Sequence, residues 1–304
     1  MPNISVLKSQ TVIVSAFMSK INDRPDRILN KYIDFGKKLI DVPIPKLIFI
    51  EKSVFEEYAL GKQDDKRVSL KIEADKPEYE CIIQNETQTL YIFFEKSMMY
   101  LYEYKHLISD FYLDTTNPKK DSIEYMFVQC YKTEWIRMAI QAIEYIETTD
   151  WKTEGMLNKL CDFSENNQYV WMDFGLYHMF MTDESFFNGL NGFHNRIETR
   201  FKAACMNGHH FNTVYFASCW NPHDEFYRNI YTQIYWVFAG SVFGGYKNAL
   251  LRFAGLVRDK CIQIIQEKRH LMWEINVWYL VYKMCPELFD FYKCDHNYSI
   301  ISNY

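Results

Sequence analysis

Asp173 has the setting in this chain that most invites chemistry. It closes the run Tyr169-Val170-Trp171-Met172-Asp173, an apolar stretch that stops at an acid and continues as Phe174-Gly175. Open α/β sheets gather ligands at the carboxyl ends of their strands, so a carboxylate there suits a binding site. The chemistry it points to is neutralisation of a charged leaving group by Mn2+ or Mg2+ held on the carboxylate. One carboxylate holds such an ion weakly unless substrate phosphates complete the shell. An Asp before Phe-Gly is equally a turn residue.

Glu274 is the second candidate. It opens the segment Glu274 to Met284, which is apolar on nearly every side. A helix N-terminus favours a carboxylate and apolar surroundings oppose its ionisation. Such a group can act as the base that deprotonates an acceptor hydroxyl, or simply as a helix-end carboxylate. Lys132, Arg24 and Arg200 are cations able to balance phosphates where no metal does so. Gly240, Gly244 and Gly245 fall in Ala239-Gly240-Ser241-Val242-Phe243-Gly244-Gly245, which reads as a loop between a strand and a helix. There they either let the backbone approach a ligand or make the turn.

Rival chemistries find less support. His209-His210 and His223 lack the i, i+4 spacing and intervening Glu of a helical zinc motif. Eight cysteines occur without any CxxC pair, which argues against a zinc ribbon or a disulfide framework and for reduced, mostly buried thiols. Trp220, Trp236, Trp273 and Trp278 read mainly as core, with room for one ring that stacks on a sugar.

The elements that must position these residues follow from periodicity. Thr11 to Phe17 is a β-branched run and reads as a buried strand. From Ile28, the residues Leu29, Tyr32, Ile33, Gly36, Leu39 and Ile40 form one helical stripe, stopped by Pro43 and Pro45. Lys46 to Glu51 is a second strand, and strand-helix-strand implies parallel pairing by a crossover. Two apolar runs within Tyr79 to Phe94 flank Asn85-Glu86-Thr87 as a hairpin or sheet edge. Helices are expected at Ser97 to Ile108, Thr133 to Ile146, Tyr246 to Glu267 and Glu274 to Met284, and strands at Asn212 to Ser218 and Ile230 to Phe238. No repeat or Gly/Ser linker divides the chain, so one α/β domain is expected.

A net charge of −5 argues against a nucleic-acid binder that works by neutralising phosphates. No apolar run reaches the roughly 20 residues that span a bilayer, and Met1 to Gln10 lacks a signal-peptide core, so a cytoplasmic location is expected. The aromatic share of 17% suits sugar binding as well as core filling. A homodimer stays open.

Thr11-Val12-Ile13-Val14-Ser15-Ala16-Phe17 with Arg24 and Tyr32, the Trp171-Met172-Asp173-Phe174-Gly175 block, the Ala239 to Gly245 segment and the tail Tyr292 to Tyr304 occur in an order that resembles the HtrL/YibB family. That family is related to glycosyltransferases of lipopolysaccharide and of large DNA viruses. A viral origin would make the location a host cytoplasm. The resemblance implies a GT-A-like fold: a Rossmann-type mixed sheet flanked by helices, with residues 1–175 binding a nucleotide sugar and 176–304 the acceptor. It implies a UDP-sugar donor and a glycan or glycolipid acceptor. On the donor side it would use Ser15, Ala16 and Phe17 at the base and ribose, with Arg24, Lys132, Asp173, Gly240, Gly244 and Gly245. Asp173 and His296 would hold the metal, and Glu274 or Asp295 would serve the acceptor. Gly175 stands where such enzymes usually carry the second acid of Asp-x-Asp. A carbohydrate-binding or structural protein that lost turnover is the alternative.

Overall fold

The computed structural model describes residues 11–19, 21, 28–72, 76–116, 118–149, 167–207, 212–224 and 226–304. Four strands make a parallel centre: β1 (Thr11–Phe17), β2 (Lys46–Ile50), β5 (Thr89–Phe93) and β6 (Gln168–Met172). Val12, Ile13 and Val14 are all fully buried. Continuous apolar runs of this kind arise because both faces of a parallel sheet are covered. β1 pairs in parallel with β2 on one side and β6 on the other. The chain thus leaves β1 in one direction and later returns on its opposite flank.

The remaining strands extend this centre to both edges. β3 (Lys66–Leu70) and β4 (Tyr79–Gln84) add antiparallel pairing to β5, and the turn around Asn85 is a hairpin as expected. Beyond β6 lie β8 (Phe238–Tyr246), β7 (Val214–Ser218) and β9 (Phe289–Lys293). The full order is β3-β4-β5-β2-β1-β6-β8-β7-β9, one mixed nine-stranded sheet among the described residues. β8 runs antiparallel to both its neighbours, so its amino end adjoins the carboxyl end of β6.

Helices cover both faces. Val12, Val14 and Trp171 pack in one core with α3 (Ile123–Cys130), α4 (Lys132–Glu147), α6 (Lys247–Lys268) and α7 (Glu274–Met284). Ile13, Val170 and Met172 face the other way, into a core shared with α1 (Leu29–Ile40), α5 (Asp183–Asn207) and the short α8 (Ser299–Ser302). At the end of α1, buried Lys46 donates to the carbonyls of Ile40 at 3.0 Å and Val42 at 2.7 Å, closing the helix where prolines stop it. α2 (Lys52–Glu57) completes the third, smaller core with Ile33, Ile48 and Tyr91. No helix among the described residues is long and apolar enough to cross a membrane.

Three expectations need correction. Ile230 to Phe238 forms turns rather than a strand, and the strand begins at Phe238. The glycine segment expected as a loop is that strand, paired on both sides by β6 and β7. Space demands its glycines: a Cβ on Gly244 would lie 2.6 Å from the Tyr169 carbonyl oxygen and 2.4 Å from the Tyr304 hydroxyl, and one on Gly245 2.9 Å from the Thr213 carbonyl oxygen. Ser97 to Ile108 winds as 3-10 turns, Lys96–Met98 and Tyr100–Leu107, in place of an α-helix.

Candidate functional site

A cleft of about 240 Å³ opens at the carboxyl ends of β1 and β6, where the chain direction across the sheet reverses. Ligands of open α/β sheets bind at this kind of switch point. Ala16 and Phe17 reach it from β1, Asp173 from just beyond β6, Gly240 and Ser241 from the start of β8, and Lys132 and Glu274 from α4 and α7.

Lys132 ties these elements together. Its Nζ lies 3.0 Å from Asp173 Oδ1 and 3.1 Å from Glu274 Oε1, and it donates to the Gly240 carbonyl at 3.0 Å. An ammonium has three donors, so each of them has an acceptor here. Lys132 and Glu274 are each the first residue of their helix. The helix dipole favours the glutamate in that place and opposes the lysine. Two carboxylates within about 3 Å outweigh that opposition. Burial pushes the Lys132 ammonium down, yet Asp173 and Glu274 together hold it above its ordinary value of 10.5.

The two carboxylates differ in access. Glu274 is 4% exposed, and its Oε2 has no hydrogen-bond partner among the described residues. Asp173 is 35% exposed. Its Oδ1 also accepts from Trp171 Nε1 at 2.8 Å, and its amide donates to the Ser241 carbonyl at 3.0 Å. Trp171 is itself fixed by stacking on Trp135, ring centres 5.8 Å apart at 9°. Because both carboxylates touch one nitrogen, Asp173 Oδ1 and Glu274 Oε1 are at most about 6 Å apart. Gly240 makes this approach possible, since a Cβ there would sit 2.1 Å from Glu274 Oε1.

Aromatic rings line both ends. Phe17 packs on Phe174 at 5.1 Å and on Tyr32 at 6.2 Å on the β1 side. Trp236 and Trp273 line the other side, with the His296 ring 4.9 Å from Trp236 and Lys120 Nζ 5.8 Å from the Trp273 ring.

Of the residues singled out in the sequence, the cleft gathers Ala16, Phe17, Lys132, Asp173, Gly240, Glu274 and His296. Ser15 is fully buried and donates to the Met172 carbonyl at 2.7 Å, bridging β1 and β6 behind the cleft. Gly244 and Gly245 sit deeper in β8, paired with Val170 and Tyr169. Asp295 is exposed and does not line the cleft, and its amide donates to the Ser299 hydroxyl oxygen. Arg24 and the Arg200 side chain lie outside the described residues. Ser241, His178, Gln129 and Lys120 also line the cleft and carry no motif that spacing could reveal.

Among the described residues, no three His, Cys, Asp or Glu side chains gather as a metal site. Asp173 has one oxygen not bonded to Lys132 or Trp171, and His296, the other candidate ligand, lines the same cleft. This donor set suits an ion that arrives with phosphate ligands of its own better than a resident one. The chain matches no family model, no curated protein and no solved structure.

Proposed function

We propose that this protein is a glycosyltransferase that moves a sugar from a nucleoside-diphosphate donor, a UDP-sugar, to a hydroxyl of a glycan or glycolipid. The observation that carries the reading is the pair of carboxylates, one open and one buried, that Lys132 holds together in a cleft at the sheet's switch point. A parallel Rossmann-type half joined through antiparallel β8 to a second half supports a GT-A-like description.

In this reading the nucleoside lies along Ala16, Phe17 and Tyr32, and the diphosphate reaches Asp173. A divalent cation carried in with the phosphates would meet the free Asp173 oxygen and His296 and supply charge neutralisation. Glu274 Oε2, lacking a partner, takes the proton of the acceptor hydroxyl in an inverting transfer. Lys132 touches neither substrate, because its donors are engaged; it sets the spacing of the two acids. Trp236 or Trp273 offers a face for the acceptor sugar.

The test is UDP release from a panel of nucleotide sugars with and without Mn2+, for the native protein and Glu274→Gln. Release by the native protein alone supports the reading. Binding without turnover in every combination favours the second reading, a carbohydrate-binding protein. One observation motivates that alternative: at Gly175, where a second acid would stand, a Cβ meets Tyr32 at 3.0 Å.

A further inference from the structure

β7 and β9 pair in parallel, with Ser218 opposite Lys293. The next residue on each strand is a cysteine, and the Cys294 amide donates to the Ser218 carbonyl at 3.0 Å, so the pairing continues to this point. Their sulfurs stand 3.7 Å apart. Neighbouring strands lie about 4.8 Å apart, which falls within the Cα spacing a disulfide bridges, roughly 4.4–6.8 Å. Joining the sulfurs at about 2.0 Å therefore asks for side-chain rotation and little of the backbone.

Access separates this pair from the other thiols in contact. Cys130 and Cys261 also touch, but both are buried, at 1% and 0% exposure. Cys219 is half-buried, whereas Cys294 is buried beside it. The pair also has a definite place. The Cys219 amide donates to the Val237 carbonyl, next to Trp236, and Cys294 is two residues before His296. Trp236 and His296 form one wall of the cleft.

We propose that Cys219 and Cys294 are a thiol–disulfide exchange site that takes small-molecule disulfides of the glutathione class. The Cys219 thiolate attacks one sulfur of the disulfide, breaking its S–S bond, and a mixed disulfide forms as one thiolate leaves and takes up a proton. Cys294, as thiolate, then attacks Cys219 Sγ; the Cys219–Cys294 bond forms and the second small thiol departs. The protein loses two protons and two electrons, and the small disulfide takes up both to become two thiols. The product is a covalent strap across the tips of β7 and β9, behind the Trp236–His296 wall.

The full chain is equilibrated in reduced-to-oxidised glutathione mixtures, its remaining thiols are alkylated, and the cysteine peptides are identified by mass. The Cys219–Cys294 crosslink rises from none in reduced glutathione to the majority of chains in oxidised glutathione, and dithiothreitol reverses it. In Cys294→Ser the exchange stops halfway and glutathione stays on Cys219, while in Cys219→Ser buried Cys294 stays unmodified. Both cysteines remaining alkylated in oxidised glutathione alone, or Cys219 crosslinked to a different cysteine, overturns the proposal. The native-chain result decides even where a serine variant fails to fold.

Discussion

Lys132 Nζ and Glu274 Oε1 meet 3.1 Å apart, each at the head of its own helix and each less than 5% exposed. A buried ion pair of this kind joins two helices to the sheet end, but only while both partners are present. Removing one leaves the other charge buried without compensation, which costs about 3–5 kcal/mol.

Lys132→Met is therefore expected to lower the unfolding free energy by about that 3–5 kcal/mol. Adding Glu274→Gln should restore part of the loss, because the orphaned charge goes with it. Urea midpoints of the two variants measure this; a double variant as unstable as the sum of both single ones contradicts the coupling.

The same pair sets an alkaline limit. The ammonium of folded Lys132 titrates above the ordinary lysine value of 10.5. Its contribution to stability is complete below that value and is lost as pH rises through the folded one. The stability difference between native protein and Lys132→Met should stay level from neutral pH to 10.5 and shrink beyond it. A difference that grows with alkalinity has the wrong sign.

Glycine substitutions should sort by what their Cβ meets. Gly240→Ala drives a methyl to 2.1 Å from Glu274 Oε1 and should cost about 2–3 kcal/mol as the glutamate leaves Lys132. Gly244→Ala meets the Tyr169 carbonyl at 2.6 Å, backbone that cannot swing aside, and should cost more. Gly255 in α6 meets nothing within 4 Å, and alanine there should add about 0.5–1 kcal/mol. Thermal unfolding of the three variants checks the order.

Asp173→Asn keeps an oxygen for the Trp171 indole but removes the charge. On the proposed reading, sugar transfer should fall at least about 100-fold, while the unfolding midpoint moves less than in Lys132→Met, because Lys132 keeps Glu274 as a carboxylate partner. Product formation set beside chemical denaturation separates the two effects; unchanged turnover would remove Asp173 from the chemistry.

Much of the frame was legible in local pattern. β1, α1, β2, α4, β6, α6 and α7 stand within a residue or two of their sequence reading, because each buries a face whose period shows in the residue types. β8 was hidden because glycine usually marks turns, whereas here it answers the crowding of Tyr304 and of neighbouring carbonyls. The site was legible in part for a related reason. Asp173 and Glu274 stood out by their edges, a strand end and a helix start. Lys132 did not announce that it lies between them, since its partners are 41 and 142 residues away and only the finished packing brings them to it. Position along a strand does not say which way a side chain turns, and the Ser15 hydroxyl points to the Met172 carbonyl, away from the cleft lining.

The antiparallel insertion of β8 between β6 and β7 bears on how the protein comes together in time. β6 ends at Met172, but the carbonyl that receives the Asp173 amide belongs to Ser241, far downstream. Contacts of such long sequence separation form late in folding, once loop closure is compensated by many bonds at once. Amide hydrogen exchange at Asp173 should accordingly report opening of the whole sheet rather than fraying of a strand end.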